Sequence, residues 1–337
     1  MRKIGPIEEL VLLGGGGLLK ALVEWAQETK LPVRVVTSPR HANESLSGET
    51  LSDFLSRRGV PFLIAETLSA QPLPDFVAWN QKVLCLSIGA AWIFRDKELS
   101  SIFGRSLLNS HGTRLPQNRG GGGFSWQIMM GNRFGFCVLH EIDEGIDTGD
   151  IIESREFLYP AGARTPQDFS NVYERENLDF ITDFIDRIRD SEQEFSPRKQ
   201  SEWFSTYWPR LRTEISGQID WSLDVYELER FICAFDDPYR GASTYVNSEQ
   251  VFVRKVSLNL ADGYFHPFQS GLVYRKTERW VCVAARGGSL VVESITDKQD
   301  RDFFSKVNVG DRFVTPNNSR EEGLSRIRFN PTGLDNS

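Results

Sequence analysis

Short β-branched runs alternating with amphipathic stripes are the feature that most narrows the folds open to this chain. Leu10 to Leu13 is an apolar run ending in Gly14-Gly15-Gly16-Gly17, and Leu18, Leu19, Leu22, Val23 and Trp25 then recur at helical spacing. Val33 to Val36 is a second run. A helical stripe over Glu49 to Arg58 leads to a third at Pro61 to Ile64, and Val83 to Ile88 and Ser106 to Asn109 follow. Strand and helix in alternation predict an α/β fold with a doubly wound, Rossmann-like, mostly parallel sheet. In such sheets ligands sit beyond the carboxyl ends of the strands. Phe134 to Ile142 and Asp150 to Leu158 are read as a closing strand pair. Thr165 as N-cap and Pro166 in the first turn predict a helix with Phe169, Tyr173, Phe180, Phe184 and Ile188 on its apolar side.

Beyond residue 190 the pattern changes. A polar, irregular stretch leads to a helix over about Leu223 to Phe235, with Val225, Leu228, Phe231, Ile232 and Phe235 on one stripe. Short runs at Ala242 to Val246, Gln250 to Val256, Gly271 to Tyr274, Trp280 to Ala285 and Ser289 to Ile295 predict a small C-terminal β-barrel, OB-like in kind. The expected organisation is an α/β domain over 1–190, a linker over 191–217, the barrel over 218–314 and a disordered tail over 315–337. With 337 residues, each domain has room for its own core.

A formal charge of −7 weighs against a broad basic surface for nucleic acid. Only Arg198-Lys199 with Arg210 and Arg212 form a local basic group. No apolar run reaches membrane length and the first residues lack the apolar stretch of a signal peptide, so a cytoplasmic location is expected. Cys85, Cys137, Cys233 and Cys282 stand singly inside hydrophobic runs and are read as buried thiols.

The chemistry gathers between Ser106 and Ile152. Asn109 and His111 follow a buried strand, and Asp147 lies in a carboxylate-rich turn after the next one. An amide and an imidazole can hold a carbonyl oxygen as it gains charge, while a carboxylate manages a proton. The glycines at 14–17 do not make a dinucleotide fingerprint: the third required glycine falls on Leu19, and Thr37-Ser38-Pro39-Arg40 supplies no ribose-binding acid. They are read as a tight turn, with Gly15 and Gly16 as secondary candidates for an anionic substrate at a helix N-terminus. Glu141, Asp143, Glu144, Asp147 and Asp150 lack calcium-loop spacing, and no histidine pair supports a transition metal, so no metal is expected. His140, on the strand before the carboxylate turn, is read first as a packing residue and second as lining the site; His41 and His266 carry no signal.

Asn109-Ser110-His111, Leu115-Pro116-Gln117-Asn118-Arg119-Gly120 and Ile146-Asp147-Thr148-Gly149 resemble, in that order, the 10-formyltetrahydrofolate-dependent formyltransferases. That family includes glycinamide ribonucleotide formyltransferase, methionyl-tRNA formyltransferase and the sugar-nucleotide N-formyltransferases. Ile219-Asp220-Trp221-Ser222 and Asp237-Pro238-Tyr239-Arg240-Gly241-Ala242 are similar to the C-terminal domain of its methionyl-tRNA and UDP-4-amino-4-deoxyarabinose members, with Tyr239 and Arg240 as departures. Four consecutive glycines, Gly120 to Gly123, depart as well and are read as a loop able to move.

The resemblance implies formyl transfer from 10-formyltetrahydrofolate to a primary amine, with Asn109, His111 and Asp147 as the catalytic trio. It places the folate between Ser87, Ile88, Gly89, Ala90, Ala91 and Trp92 on one side and Glu141, Ile142, Asp143 and Gly145 on the other. Arg119, Gly120 and Gly121 join Gly15 and Gly16 as acceptor-side candidates. The acidic charge favours a small amine, foremost a nucleotide-linked amino sugar, over methionyl-tRNA as runner-up. A hydrolase releasing formate from the same folate, and a binding module that has kept the fold, are the other readings. A homodimer is admitted and not required.

Overall fold

The computed structural model describes residues 1–46, 48–68 and 72–334. Its first half is built on seven strands: β1 (Glu9–Gly14), β2 (Val33–Thr37), β3 (Phe62–Ile64), β4 (Val83–Ile88), β5 (Leu107–His111), β6 (Phe134–Glu141) and β7 (Ile151–Leu158). The helices that matter here are α1 (Gly17–Glu28), α2 (Leu51–Arg57), α3 (Gly123–Met129) and α4 (Pro166–Arg189). The sheet order is β7-β6-β5-β4-β1-β2-β3. The five strands from β5 to β3 are parallel, whereas β6 and β7 are added antiparallel at one edge.

Period-two alternation explains the two covered faces. Successive side chains of a strand point to opposite sides, and β1 sends Leu10 and Leu12 into one core and Val11 and Leu13 into the other. The first core is closed by Leu19, Leu22, Phe54, Phe184 and Ile185 of α1, α2 and α4. Val77, Trp92, Phe103 and Leu107 close the second with Cys85 of β4. Each such buried Leu or Phe contributes roughly 1.5–3 kcal/mol of apolar transfer energy. α4 starts where its caps dictate: Thr165 accepts from the Asp168 N–H at 3.2 Å while the Asp168 carboxylate takes the Thr165 N–H at 3.0 Å.

The second half packs α5 (Val225–Ala234) on a five-stranded antiparallel sheet of β8 (Ala242–Val246), β9 (Glu249–Asn259), β10 (Val273–Lys276), β11 (Val281–Ala285) and β12 (Gly288–Thr296). Its order is β8-β9-β12-β11-β10. The chain at 312–314 spans the gap between the two edges: Val314 bridges Tyr245 of β8, and Arg312 bridges Leu272 beside β10. The barrel is thus closed by a segment with no strand pattern of its own.

Two features differ from the sequence expectation. The second core is shared: Ile128 of α3, Tyr159, and Phe169 of α4 belong to the same apolar cluster as Leu228, Ile232, Val253 and Val292. Polar links reinforce it, from Ser125 Oγ to the Ala234 carbonyl (2.7 Å) and from the Gln167 N–H to the Asp237 carbonyl (2.8 Å). The stretch between the halves is also no free linker. Gln193–Phe195 pairs with Arg2–Ile4, and Tyr207–Trp208 runs parallel to Arg119–Gly120. Residues 315–334, expected as disordered, hold helix α6 (Asn317–Gly323) and a short hairpin of Phe329–Asn330 with Gly333–Leu334. Such pairings join residues far apart in sequence, which local pattern does not encode. Residues 335–337 of that expected tail lie outside the described residues.

The shared core makes a prediction. Phe169 stacks on Tyr159 with ring centroids 3.9 Å apart. Phe169→Ala should cost about 3–5 kcal/mol, and urea unfolding followed by circular dichroism and tryptophan fluorescence should show both halves losing structure together. Two separate transitions, only one of them shifted, would contradict a common core.

Candidate functional site

The site grows from one strand pairing. Asn109 and His111 are two residues apart on β5 and therefore share a face. In the antiparallel pairing of β5 with β6, His140 stands directly opposite Asn109, and Val138 opposite His111. Directly opposed residues lie on the same face of a sheet, so His140 joins the two candidates. The turn after β6 then brings Asp147 back over this face. His111 Nδ1 lies 3.6 Å from Asp147 Oδ2, and His140 Nε2 lies 3.6 Å from Asp147 Oδ1.

Hydrogen bonds assign the protons. His140 Nδ1 is 2.8 Å from the Glu141 carbonyl and carries a hydrogen; in the neutral ring Nε2 accepts from Asn109 Nδ2 at 3.0 Å, and in the charged ring Nε2 carries a second hydrogen that faces Asp147. His111 Nε2 faces the Asn118 carbonyl at 3.0 Å and Thr113 Oγ1 at 2.6 Å, while the Thr113 hydroxyl also donates to that carbonyl. His111 thus carries hydrogen on Nε2, and its Nδ1 is paired with Asp147 when that nitrogen is protonated too. This is an imidazole held between an acceptor on one side and a carboxylate on the other.

Asp147 is positioned by backbone. Its φ is +54°, a left-handed conformation that Asp tolerates better than most residues. Oδ2 accepts the Gly120 N–H at 2.8 Å. Gln200 Nε2 donates to the carbonyls of Asp147 (2.9 Å) and Gly149 (2.7 Å), clamping the turn. Burial alone would raise the carboxyl, but the facing His111 charge, the hydrogen bond and charge of His140, and the Gly120 N–H outweigh it and hold Asp147 well below the usual carboxylate range.

The glycine run has a packing reason. A Cβ on Gly120, whose φ is +101°, would overlap the Trp208 carbonyl, and one on Gly121 would overlap the Arg210 side chain. The run lets the segment 207–210 lie against it, and flexibility is not required to explain it.

These groups open onto a cleft of about 520 Å³. Ser87, Gly89, Ala90, Ala91, Trp92, Ile142, Asp143 and Gly145 line it, as do Asn109, His111, Asp147, Gly120 and Gly121. Ile93 and Ile146, 76% and 46% exposed, give its mouth an apolar surface. The remaining candidates lie elsewhere. Ile88 is buried in the first core, and Glu141 faces Arg2 at 3.4 Å. Arg119 is turned to Glu202 (2.8 Å) and Gln200 (3.1 Å). Gly15 packs against His41, and the Gly16 N–H is taken by the Glu44 carboxylate, so that helix N-terminus already has its anion.

Pattern reading missed three things. His140, for which packing was the first expectation and lining the site the second, touches both Asn109 and Asp147, contacts that only the β5–β6 register could have shown. Gln200 lay in the expected linker. Arg210, Arg326 and Arg328 also line the cleft, the last two from the expected tail. The expectation of no metal rested partly on the lack of a histidine pair. In the structure His111, His140 and Asp147 place ligand atoms within 4.8 Å of one another, a set that could hold a metal ion. A metal there would compete with the Asn109–His140 and Gly120–Asp147 hydrogen bonds.

An amide, two imidazoles and a carboxylate thus meet at strand ends above a cleft on a doubly wound sheet. Residues 213–303 match the formyl transferase C-terminal domain. Methionyl-tRNA formyltransferase of Agathobacter rectalis is 24% identical over 295 residues, covering 86% of this chain and 91% of the relative. Two solved structures share the fold. WlaRD, a sugar 3N-formyl transferase determined in the presence of dTDP and 5-N-formyl-THF, aligns with TM-score 0.65 at 17% identity, over 86% of this chain and 98% of that one. The N-formyltransferase of Helicobacter canadensis, in complex with folinic acid and dTDP-3-aminofucose, aligns with TM-score 0.64 at 18% identity, over 85% and 99%. The matched domain, the sequence relatives and the shared fold support a formyltransferase family for this chain, one whose members are enzymes that transfer a one-carbon formyl group.

The Asp147 pairing predicts an acid signature. A carboxyl lowered in the folded state adds stability that is complete above the ordinary carboxylate range and is lost as pH falls through it. The stability gap between wild type and Asp147→Asn should therefore be full at about pH 5 and narrow below about pH 4. Urea midpoints across that range measure it; a gap indifferent to acid would remove the pairing.

Proposed function

We propose that this chain transfers the formyl group of 10-formyltetrahydrofolate to a primary amine, foremost the amino group of a nucleotide-linked amino sugar. The observation that carries the reading is the convergence of Asn109, His111, His140 and Asp147 at the end of the cleft. The fit of a folate rests on the cleft's character: small residues Gly89, Ala90 and Ala91 on one wall, exposed Ile93 and Ile146 at the mouth, and backbone groups of 142–145 on the other wall. The folate supplies the activated one-carbon unit. In this reading residues 1–190 are the catalytic unit and 218–314 an accessory barrel.

The chain's own groups divide the work. His140 fixes the Asn109 amide through one N–H, which leaves the second to hold the formyl oxygen. The Nε2–H of His111 is held by the Asn118 carbonyl, so its donor toward the same oxygen is an Nδ1–H, which meets Asp147 only at 3.6 Å and can be shared with the formyl oxygen. As the amine nitrogen bonds to the formyl carbon its proton leaves to Asp147, or to His111 Nδ1 where that nitrogen is unprotonated, directly or through water. The same proton passes to the folate nitrogen as its bond to the formyl carbon breaks and tetrahydrofolate departs. The fixed donors are aligned before substrate arrives, so little reorganisation is required during the reaction.

The acceptor is argued from charge. A net −7 is poorly suited to grip an acidic RNA stem, and the two structural neighbours carry dTDP or a dTDP-sugar. Methionyl-tRNA is the second reading, favoured by the names of the sequence relatives. Among the described residues no helix is long and apolar enough to cross a membrane. The four cysteines are buried and free, which fits a reducing cytoplasm.

The test is incubation with 10-formyltetrahydrofolate and a panel of amino-sugar nucleotides and charged initiator tRNA, read by mass spectrometry for the added formyl group. His111→Ala and Asp147→Asn should each lower turnover by about 10²–10³-fold or more, the scale of losing one oxyanion donor. Near-wild-type turnover in either variant would remove the assignment. Formate released at the same rate without any amine would instead identify a hydrolase.

A further inference from the structure

The C-terminal segment beyond the barrel crosses the mouth of the site. It is anchored at one end where Arg320 donates to the Asp220 carboxylate at 2.6 Å and Gly323 packs beside the Ile215 carbonyl. At the other end the Arg40 N–H donates to the Pro331 carbonyl at 3.4 Å, on the first domain. Between these anchors Arg326, Ile327 and Arg328 line the same cleft as His111 and Asp147. Both arginines are exposed, and neither has a carboxylate partner among the described residues. The segment lies beyond residues 213–303, so the matched formyl transferase domain does not account for it.

Arg210 enters the cleft from the other side, laid over Gly121, where a side chain larger than hydrogen would overlap it. Arg40 stands near Arg210, close enough that burial and the Arg210 charge together push the Arg40 guanidinium down. Like charges gathered at one cleft repel each other, and an anionic ligand with several oxygens converts that repulsion into attraction. Guanidinium forks match phosphate geometry in pairs. The acidic members of the lining are Asp143 and Asp147, the second held by the histidines.

We propose that Arg210, Arg326 and Arg328 form the anion subsite of the amine acceptor, taking the pyrophosphate of a nucleoside diphosphate-linked amine, with the C-terminal segment as the strap that delivers two of the three. The inference rests on the acceptor reading above and moves the phosphate contacts from Gly15, Gly16 and Arg119 to these arginines. A small diphosphate is favoured over RNA because the cations converge into a cleft; an RNA stem calls for a basic stripe along an outer surface.

Calorimetry on the full chain tests it, with uridine diphosphate and thymidine diphosphate as probes and folinic acid as a separate ligand. Arg326→Ala with Arg328→Ala should weaken at least one diphosphate about tenfold or more, with folinic acid affinity held within about twofold. Arg326→Lys with Arg328→Lys should recover part of the loss, as expected when charge is restored without the fork. Unchanged diphosphate affinity in the alanine pair, or no binding of either diphosphate to wild type, overturns the subsite. Loss of charged tRNA binding with diphosphate binding intact also overturns it, in favour of RNA. Arginine-dependent diphosphate binding in an enzyme that formylates no amino-sugar nucleotide would support the subsite while sinking the acceptor reading, so the two fail separately.

Discussion

The Asp147 carboxylate, set between two imidazoles and a backbone N–H, is the interaction on which the rest of the site depends. Half-buried, a lone carboxylate would be driven toward its neutral form. His111, His140 and Gly120 reverse that and keep it ionised. The same contacts orient the partners: His140 is fixed by the Glu141 carbonyl and in turn fixes Asn109, while His111 is fixed by Asn118 and Thr113. Each group is held by a neighbour within the protein, which is how a constellation keeps its geometry without a ligand.

That arrangement is available only because the sheet changes direction. Parallel strands alone would have left Asn109 and His111 at an open edge. Adding β6 antiparallel to β5 sets His140 across from Asn109 and returns the chain over the same face within one turn. Gln200 then locks the turn from a segment that wraps the first domain. The glycines at 120–123 serve the same wrapping, since they admit Tyr207 to Arg210 at close range.

The two halves are mechanically one body around the shared apolar cluster. Ile128, Tyr159 and Phe169 cannot be removed from the second core without exposing large aromatic and aliphatic surface on both sides. The barrel therefore supports the site through α3, which follows the glycine run, and the closing segment at 312–314 leads directly into the strap that returns to the cleft.

The chain's own spacing determined a good deal. Period-two runs at Leu10, Val33 and Val83 and the caps at Thr165 specify elements through neighbours a few residues away, and the ordered strings around Asn109, His111 and Asp147 marked the site. Tertiary structure alone decided the contacts made across the chain: His140 against Asn109, Gln200 against Asp147, Arg326 and Arg328 at the cleft, and Phe169 in a core it shares with the barrel. Those depend on strand register and on how distant segments wrap, and neither quantity is written in local periodicity. Gly16 shows the converse. Its turn was legible, but the Glu44 carboxylate that occupies the helix end came from another segment, and so its role could not be read.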